Sequence, residues 1–300
     1  MAKKRVVGVG EILWDIYRDE RFIGGAPANV ALNALQLGHE GVIASRIGND
    51  GLGQELTRSL AEKGLDPSWL QVDKKKGTGT VLIRLDVHGQ PSFTCSNDVA
   101  FDYLEYSEAL QELAATADVA AFGLLAQRQE ASRAAILQFV ESTKAFKIFD
   151  LNIRQSLRGQ TETVVRSLKA TNILKVNRDE IYLLMEAFKS ETENVVSFVR
   201  KLIAEYKLDG VLLTLGDEGA RMITANKTLA AEALIIQPVD LTGAGDAFIA
   251  GFIHKRLQKA PLQACLNFAV KTSAFVCTKR GATPEMSEAA IEAFAQKVRG

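Results

Sequence analysis

Apolar residues recur along this chain in two alternating patterns. Short uninterrupted runs rich in Val, Ile, Leu, Ala and Phe occur at residues 5–11, 41–47, 119–122, 146–149, 173–176 and 211–215, and runs of this length predict strands buried on both faces. Helix-length amphipathic segments separate them. One carries Val30, Leu32, Ala34, Leu35 and Leu37 and stops at Gly38; another leaves the turn Gly48-Asn49-Asp50-Gly51-x-Gly53 and ends near Gly64. Strand–helix alternation of this kind predicts an α/β fold, a doubly wound and mainly parallel sheet with helices on both faces. Two stretches depart from it. Residues 78–86 alternate and are β-branched, His88-Gly89-Gln90-Pro91 reads as a turn, and 92–95 continue extended, which predicts a hairpin. It reads either as a lid beside the active end of the sheet or as an ordinary edge hairpin. A second, short hairpin is expected over 220–224 and 229–233, followed by a helix ending at Leu257, another over 261–278, and a last one from about Glu285 to Val298.

Val239-Asp240-Leu241-Thr242-Gly243-Ala244-Gly245-Asp246-Ala247-Phe248 is a glycine turn feeding a helix whose apolar residues Phe248, Ile249, Phe252 and Ile253 follow at helical spacing. The first N–H groups of such a helix have no intrahelical partner, and the helix dipole adds partial positive charge, so an anion is favoured there. Taken alone, the same residues read equally as a well-charged helix N-terminus. Gly24-Gly25-Ala26-Pro27-Ala28-Asn29 forms a comparable junction, where Asn29 offers a donor and an acceptor to a polyol. Asp15 reads as a ligand-binding acid past the first strand or as a turn acid. Polar groups gather just after the other strands: Gln127 and Arg128, then Asp150, Asn152 and Arg154, then Asn177 and Glu180. Together with the Gly-rich turn they predict one crevice lined from several elements. Gly8-x-Gly10 lacks the third glycine of a dinucleotide fingerprint and opens no helix, which argues against a nicotinamide-dependent oxidoreductase.

The 300 residues carry 36 Lys+Arg against 36 Asp+Glu, a formal net charge of zero, and nothing in this balance suggests a nucleic-acid or membrane partner. Three widely spaced cysteines, Cys95, Cys265 and Cys277, suggest neither a disulfide framework nor a zinc site. The basic N-terminus lacks a long apolar run, so a cytoplasmic location is expected.

Taken in order, Gly24-Gly25-Ala26-Pro27-Ala28-Asn29, Asn177-x-x-Glu180 and Asp240-x-Thr242-Gly243-Ala244-Gly245-Asp246 resemble the ribokinase-like (PfkB-type) carbohydrate kinases over essentially the whole chain. Phe122-Gly123-Leu124-Leu125-Ala126-Gln127-Arg128 and Asp150-Leu151-Asn152-Ile153-Arg154 look most like the fructokinase branch. The resemblance implies one domain over residues 1–300 with a small β lid from about 13–24 and 77–100, ATP as phosphoryl donor, and Mg²⁺. It implies Asp246 as base, with Gly243, Ala244 and Gly245 as anion hole; Asp15, Gly25, Asn29, Phe101, Gln127 and Arg154 on the sugar; and Asn177, Thr214, Gly216, Gly219, Gly243, Gly245, Gly281 and Ala282 on the nucleotide. Asn177 and Glu180 would hold Mg²⁺ through water, and Asp240, Thr242 and Gly281 would form a K⁺ loop. A homodimer paired through the lids is a further implication. Leu241 stands where the family usually has Thr, which removes one hydroxyl from that loop. Phosphorylation of fructose to fructose 6-phosphate is the expected activity; 2-keto-3-deoxygluconate kinase, ribokinase, nucleoside kinase and a non-catalytic sugar- or nucleotide-binding regulator are the alternatives.

Overall fold

The computed structural model describes residues 3–18, 20–85, 91–153 and 157–299. The chain enters through β1 (Arg5–Val9), turns through β2 (Leu13–Ile16) and β3 (Arg21–Gly24), and continues into α1 (Ala26–Gln36), β4 (Glu40–Gly48), α2 (Gly51–Glu62) and β5 (Leu70–Asp73). After β6 (Gly79–Leu85) and β7 (Pro91–Cys95), the alternation resumes as α3 (Glu108–Thr116), β8 (Val119–Gly123), α4 (Glu130–Ser142), β9 (Phe146–Asp150), α5 (Thr161–Lys169), β10 (Ile173–Asn177), α6 (Arg178–Ala187), α7 (Val195–Tyr206) and β11 (Gly210–Thr214). The antiparallel pair β12 (Ala220–Ile223) and β13 (Thr228–Ala231) precedes α8 (Ala244–Leu257), α9 (Leu262–Cys277) and α10 (Glu288–Arg299).

A nine-stranded sheet in the order β13-β12-β11-β10-β9-β8-β1-β4-β5 forms the body. It is parallel from β11 through β5, and β12 and β13 extend one edge antiparallel. The chain winds outward from β1 in both directions, toward β4 on one side and β8 on the other, so the strand order reverses at β1 and a crevice opens at the C-terminal ends of the strands. Alternate strand residues feed two cores. Val7, Val9, Phe122, Phe149, Leu174 and Val176 face one side, while Val6, Val119, Ala121, Ile148 and Leu212 meet α1, α8 and α9 on the other. Helix α1 lies so close to the sheet that a Cβ added at Gly8 would overlap the Pro27 carbonyl. Helix α8 is buried from Asp246 to His254, as a helix that is apolar on nearly every side must be.

A separate four-stranded sheet, β3-β2-β6-β7, stands over the crevice. The expected hairpin over 78–95 is present as the antiparallel pair β6–β7, with its turn at 86–90 outside the described residues. A second strand pair, β2–β3, joins it, with β2 running parallel to β6. Two anchors hold the feet of the β6–β7 pair. Asp50 caps α2 through Gly53 N–H and also accepts Thr78 N–H (2.8 Å) and the Thr78 hydroxyl (2.7 Å). Arg128 grips the fully buried Asp102 through two 2.7 Å bonds and donates to the Ser96 carbonyl at 2.7 Å. The last helix begins at Glu288, three residues later than its apolar pattern suggests, because Met286 turns into the core beside Val276 and Ile291 and the Ser287 hydroxyl accepts Ala290 N–H.

Removing one partner from a buried bidentate pair leaves an uncompensated charge. Asp102→Ala is therefore expected to lower stability by about 3–5 kcal/mol, read as a drop in the urea midpoint at unchanged slope.

Candidate active site

The crevice encloses a cavity of about 670 Å³ between the two sheets. Helix α8 begins beneath it. Gly243 adopts φ 76°, the left-handed conformation that glycine accepts without a Cβ penalty, and a Cβ there would overlap Ala282, which is 1% exposed. The turn is thus clamped from behind by the 281–282 loop, and the N–H groups that open α8 lie in the cavity wall. Asp246, in the first turn, is buried and accepts a 2.8 Å hydrogen bond from Asn29 Nδ2. Asn29 itself rides in the first turn of α1, after Gly25 (φ 102°). Two helix N-termini therefore meet at one point, and Asn29 Oδ1 is left buried without a hydrogen-bond partner.

The end of β10 brings a charged cluster to the same wall. Lys175 Nζ lies 3.0 Å from Asp150 Oδ1, and a Cβ on Gly245 would be 2.9 Å from that ammonium. Burial opposes the charge on Lys175, but the carboxylates of Asp150 and Glu180 beside it raise its pKa above the ordinary value, so it stays an ammonium. The Asp150–Lys175 contact is a charge contact without hydrogen-bond direction: both Asp150 oxygens are buried and accept no hydrogen bond. Glu180 forms a capping box with Asn177, accepting Asn177 N–H at 2.7 Å and donating its own N–H to Asn177 Oδ1 at 2.8 Å, and it also takes Ile153 N–H at 3.0 Å. Burial raises its pKa, Lys175 opposing.

Asp240 organises the opposite lip. Its Oδ1 accepts Thr242 N–H at 2.9 Å and its Oδ2 accepts Gly281 N–H at 3.0 Å, so one carboxylate brings Asp240, Thr242 and Gly281 together. The Leu241 side chain, where the family usually has a hydroxyl, points outward at 68% exposure, and its carbonyl accepts Ala244 N–H.

Of the residues singled out in the sequence, Asp15, Gly25, Asn29, Asp150, Asn152, Asn177, Glu180, Thr214, Asp240, Thr242, Gly243, Ala244, Gly245 and Asp246 line this cavity. Others do not. Phe101 is fully buried under Gly79 with the Arg128 guanidinium over its ring. Gln127 is 1% exposed and satisfied within the scaffold by the Gly123 carbonyl (2.9 Å) and Ser167 Oγ (3.1 Å). Both sit on connections at strand ends, but their side chains turn into the core rather than the crevice. Gly216 and Gly219 form the turn after β11, and Gly281 and Ala282 stand behind Gly243. Arg154 lies outside the described residues. Lys175 is the group that the sequence reading missed, since 173–176 reads as an apolar strand; a lysine inside such a run, two residues before Asn177, was the available signal. The small sheet adds Leu13, Tyr17, Val81, Ile83 and Cys95, a mostly apolar wall that alternation alone did not mark as facing a ligand.

A doubly wound sheet, a glycine turn at a helix N-terminus and a buried carboxylate beside it form an arrangement suited to phosphoryl transfer to an alcohol. The chain matches the pfkB family of carbohydrate kinases over residues 11–289 and belongs to that family; it is an ATP-dependent sugar kinase. It is 30% identical over 287 residues to an uncharacterized sugar kinase of Pyrococcus horikoshii (92% of this chain, 88% of that one). It is also 30% identical over 236 residues to a fructokinase of Klebsiella pneumoniae (77% and 75%). The crystal structure of fructokinase from Vibrio cholerae O395, in its fructose-, ADP- and calcium-bound form, superposes with a TM-score of 0.83 at 26% identity, covering 97% of this chain and 99% of that one.

The geometry separates the two glycines of the turn. Gly243→Ala meets both a left-handed φ and the Ala282 backbone, so it is expected to disturb the turn itself; Gly245→Val instead displaces the Lys175 ammonium from a helical position. Both variants should fold and lose at least ~10-fold in kcat, and a folded Gly243→Ala enzyme with unchanged kcat and ATP KM would remove the turn from the phosphate site.

Proposed function

We propose that this protein is a fructokinase, transferring the γ-phosphoryl group of ATP to a hydroxyl of fructose. The observation that carries the reading is the Asn29–Asp246 hydrogen bond at the head of α8, in a cavity whose one cationic side chain among the described lining residues, Lys175, already faces Asp150. Such a site suits a neutral polyol rather than a sugar phosphate or sugar acid, either of which would bring a charge needing its own cation.

Asp15, Gly25 and Asn29 hold the acceptor sugar, with the unpartnered Asn29 Oδ1 available to a sugar hydroxyl. Asp246, oriented by Asn29, accepts the proton as the alcohol oxygen bonds to the γ-phosphorus and the bond to the ADP oxygen breaks. Transfer of this type has a loose transition state, so the protein mainly aligns the oxygens and neutralises their charge. The N–H groups of Gly243, Ala244 and Gly245 serve as the anion hole, and Lys175 supplies a fixed positive charge beside them. Thr214, with the Gly216–Gly219 turn and the Gly281-Ala282 loop, borders the nucleotide.

Mg²⁺ fits the donors present: the two buried Asp150 oxygens that accept no hydrogen bond lie beside Glu180 and Asn177, a set suited to holding a hydrated ion that neutralises phosphate charge. Such an ion would be carried largely by water and phosphate. K⁺ beside Asp240, Thr242 and Gly281 belongs to the same reading. The four-stranded sheet acts as a lid over the sugar, and its outer strands β3 and β7 carry the edges through which a homodimer would pair.

Asp246→Asn nearly preserves shape while removing proton acceptance, so kcat should fall at least ~10²-fold with sugar binding retained; near-normal kcat rules Asp246 out as the base. For the substrate, a side-by-side kinetic panel of fructose, ribose, adenosine and 2-keto-3-deoxygluconate should give fructose the highest kcat/KM. A win for 2-keto-3-deoxygluconate that disappears in Arg154→Ala would make Arg154 a carboxylate clamp and overturn the assignment.

A further inference from the structure

Tyr17 follows β2 directly, two residues after Asp15, and so belongs to the small sheet. Its hydroxyl, however, is held by the main body, 2.9 Å from Thr242 Oγ1 and 3.3 Å from Asp240 Oδ2. Asp240 also accepts the Thr242 and Gly281 N–H groups, which leaves one consistent order of donation: the Thr242 hydroxyl donates to Tyr17, and Tyr17 donates to Asp240. The same stretch reaches across twice more. The Tyr17 ring meets Phe22 edge-on at 5.6 Å and 86°, Phe22 covers Gly281 so closely that a Cβ there would lie 2.8 Å from its ring, and Glu20 pairs with Arg280 at 3.0 Å on the exposed rim.

We propose that Tyr17 is a positioning residue that couples the small sheet to the Asp240–Gly245 turn, so that sugar and nucleotide order the site together. The physical path is short. Leu241, between the two side chains that grip Tyr17, gives its carbonyl to Ala244 N–H at the start of α8. A ligand that draws the small sheet down completes the Tyr17 bonds and fixes the turn; a ligand that fixes the turn holds the phenol and with it the sheet. Each ligand therefore binds more tightly in the presence of the other, and by linkage the factor is the same in both directions. This rests on the reading of Gly243–Gly245 as the anion hole.

The test is calorimetric titration of fructose with and without a non-hydrolysable ATP analogue and Mg²⁺, beside steady-state kinetics. In the wild type the analogue should tighten fructose binding. Tyr17→Phe keeps the ring against Phe22 and removes only the hydroxyl; it should reduce that coupling factor about tenfold, what one hydrogen bond to a charged group typically supplies, and lower kcat. Thr242→Val should reproduce this, Thr242→Ser should restore it, and the Tyr17→Phe/Thr242→Val pair should be no worse than either alone. A Tyr17→Phe protein with undiminished coupling, or a wild type with none, overturns the proposal. Because coupling is read without turnover, it is separable from the anion-hole reading, which fails instead if the Gly243 and Gly245 variants and Asp246→Asn stay fully active.

Discussion

One buried hydrogen bond, from Asn29 Nδ2 to Asp246 Oδ2, fixes the meeting point of two helix N-termini whose residues lie 217 apart in sequence. Much else in the molecule serves that meeting. Gly8 lets α1 settle onto β1, the apolar flanks of α8 bury it against the sheet and α9, and Ala282 closes the space behind Gly243. Helix dipoles and unpaired N–H groups carry only partial charge; bringing two helix starts to one enclosed space adds their partial charges there.

The electrostatics follow from the same enclosure. Burial of Lys175, which is 5% exposed, disfavours its charge, and the neighbouring Asp150 and Glu180 carboxylates more than offset that. The 3.0 Å Lys175–Asp150 contact thus brings a buried ammonium to the crevice wall with its counter-charge beside it. Glu180 is held by two backbone N–H groups and Asp240 by two others, so these acids of the crevice wall are fixed before any ligand arrives, which is what electrostatic preorganisation requires.

The small sheet shows a different balance. Its feet are tied by the Asp50–Thr78 and Arg128–Asp102 contacts, both part-buried and multiply bonded, whereas its far edge touches the main body through Tyr17, Phe22 and an exposed ion pair. Strongly bonded feet and weaker outer contacts leave the outer part of this sheet the easier one to shift.

The sequence by itself determined the fold class, the two glycine junctions, and the acids and amides at the strand ends, because periodicity and turn chemistry are local properties written in consecutive residues. It placed Asn29 and Asp246 each at a helix start, but nothing in either segment says that they touch. It also read Lys175 as part of an apolar strand and put Phe101 and Gln127 among the ligand-facing groups. Only the tertiary structure decided those points, since which face of a strand end looks into the crevice depends on the register and twist of its neighbours. Tyr17 is the clearest case: its sequence neighbours describe a strand end, and its partners Asp240 and Thr242 come from the far end of the chain, brought within hydrogen-bonding distance by the packing of the small sheet over the large one.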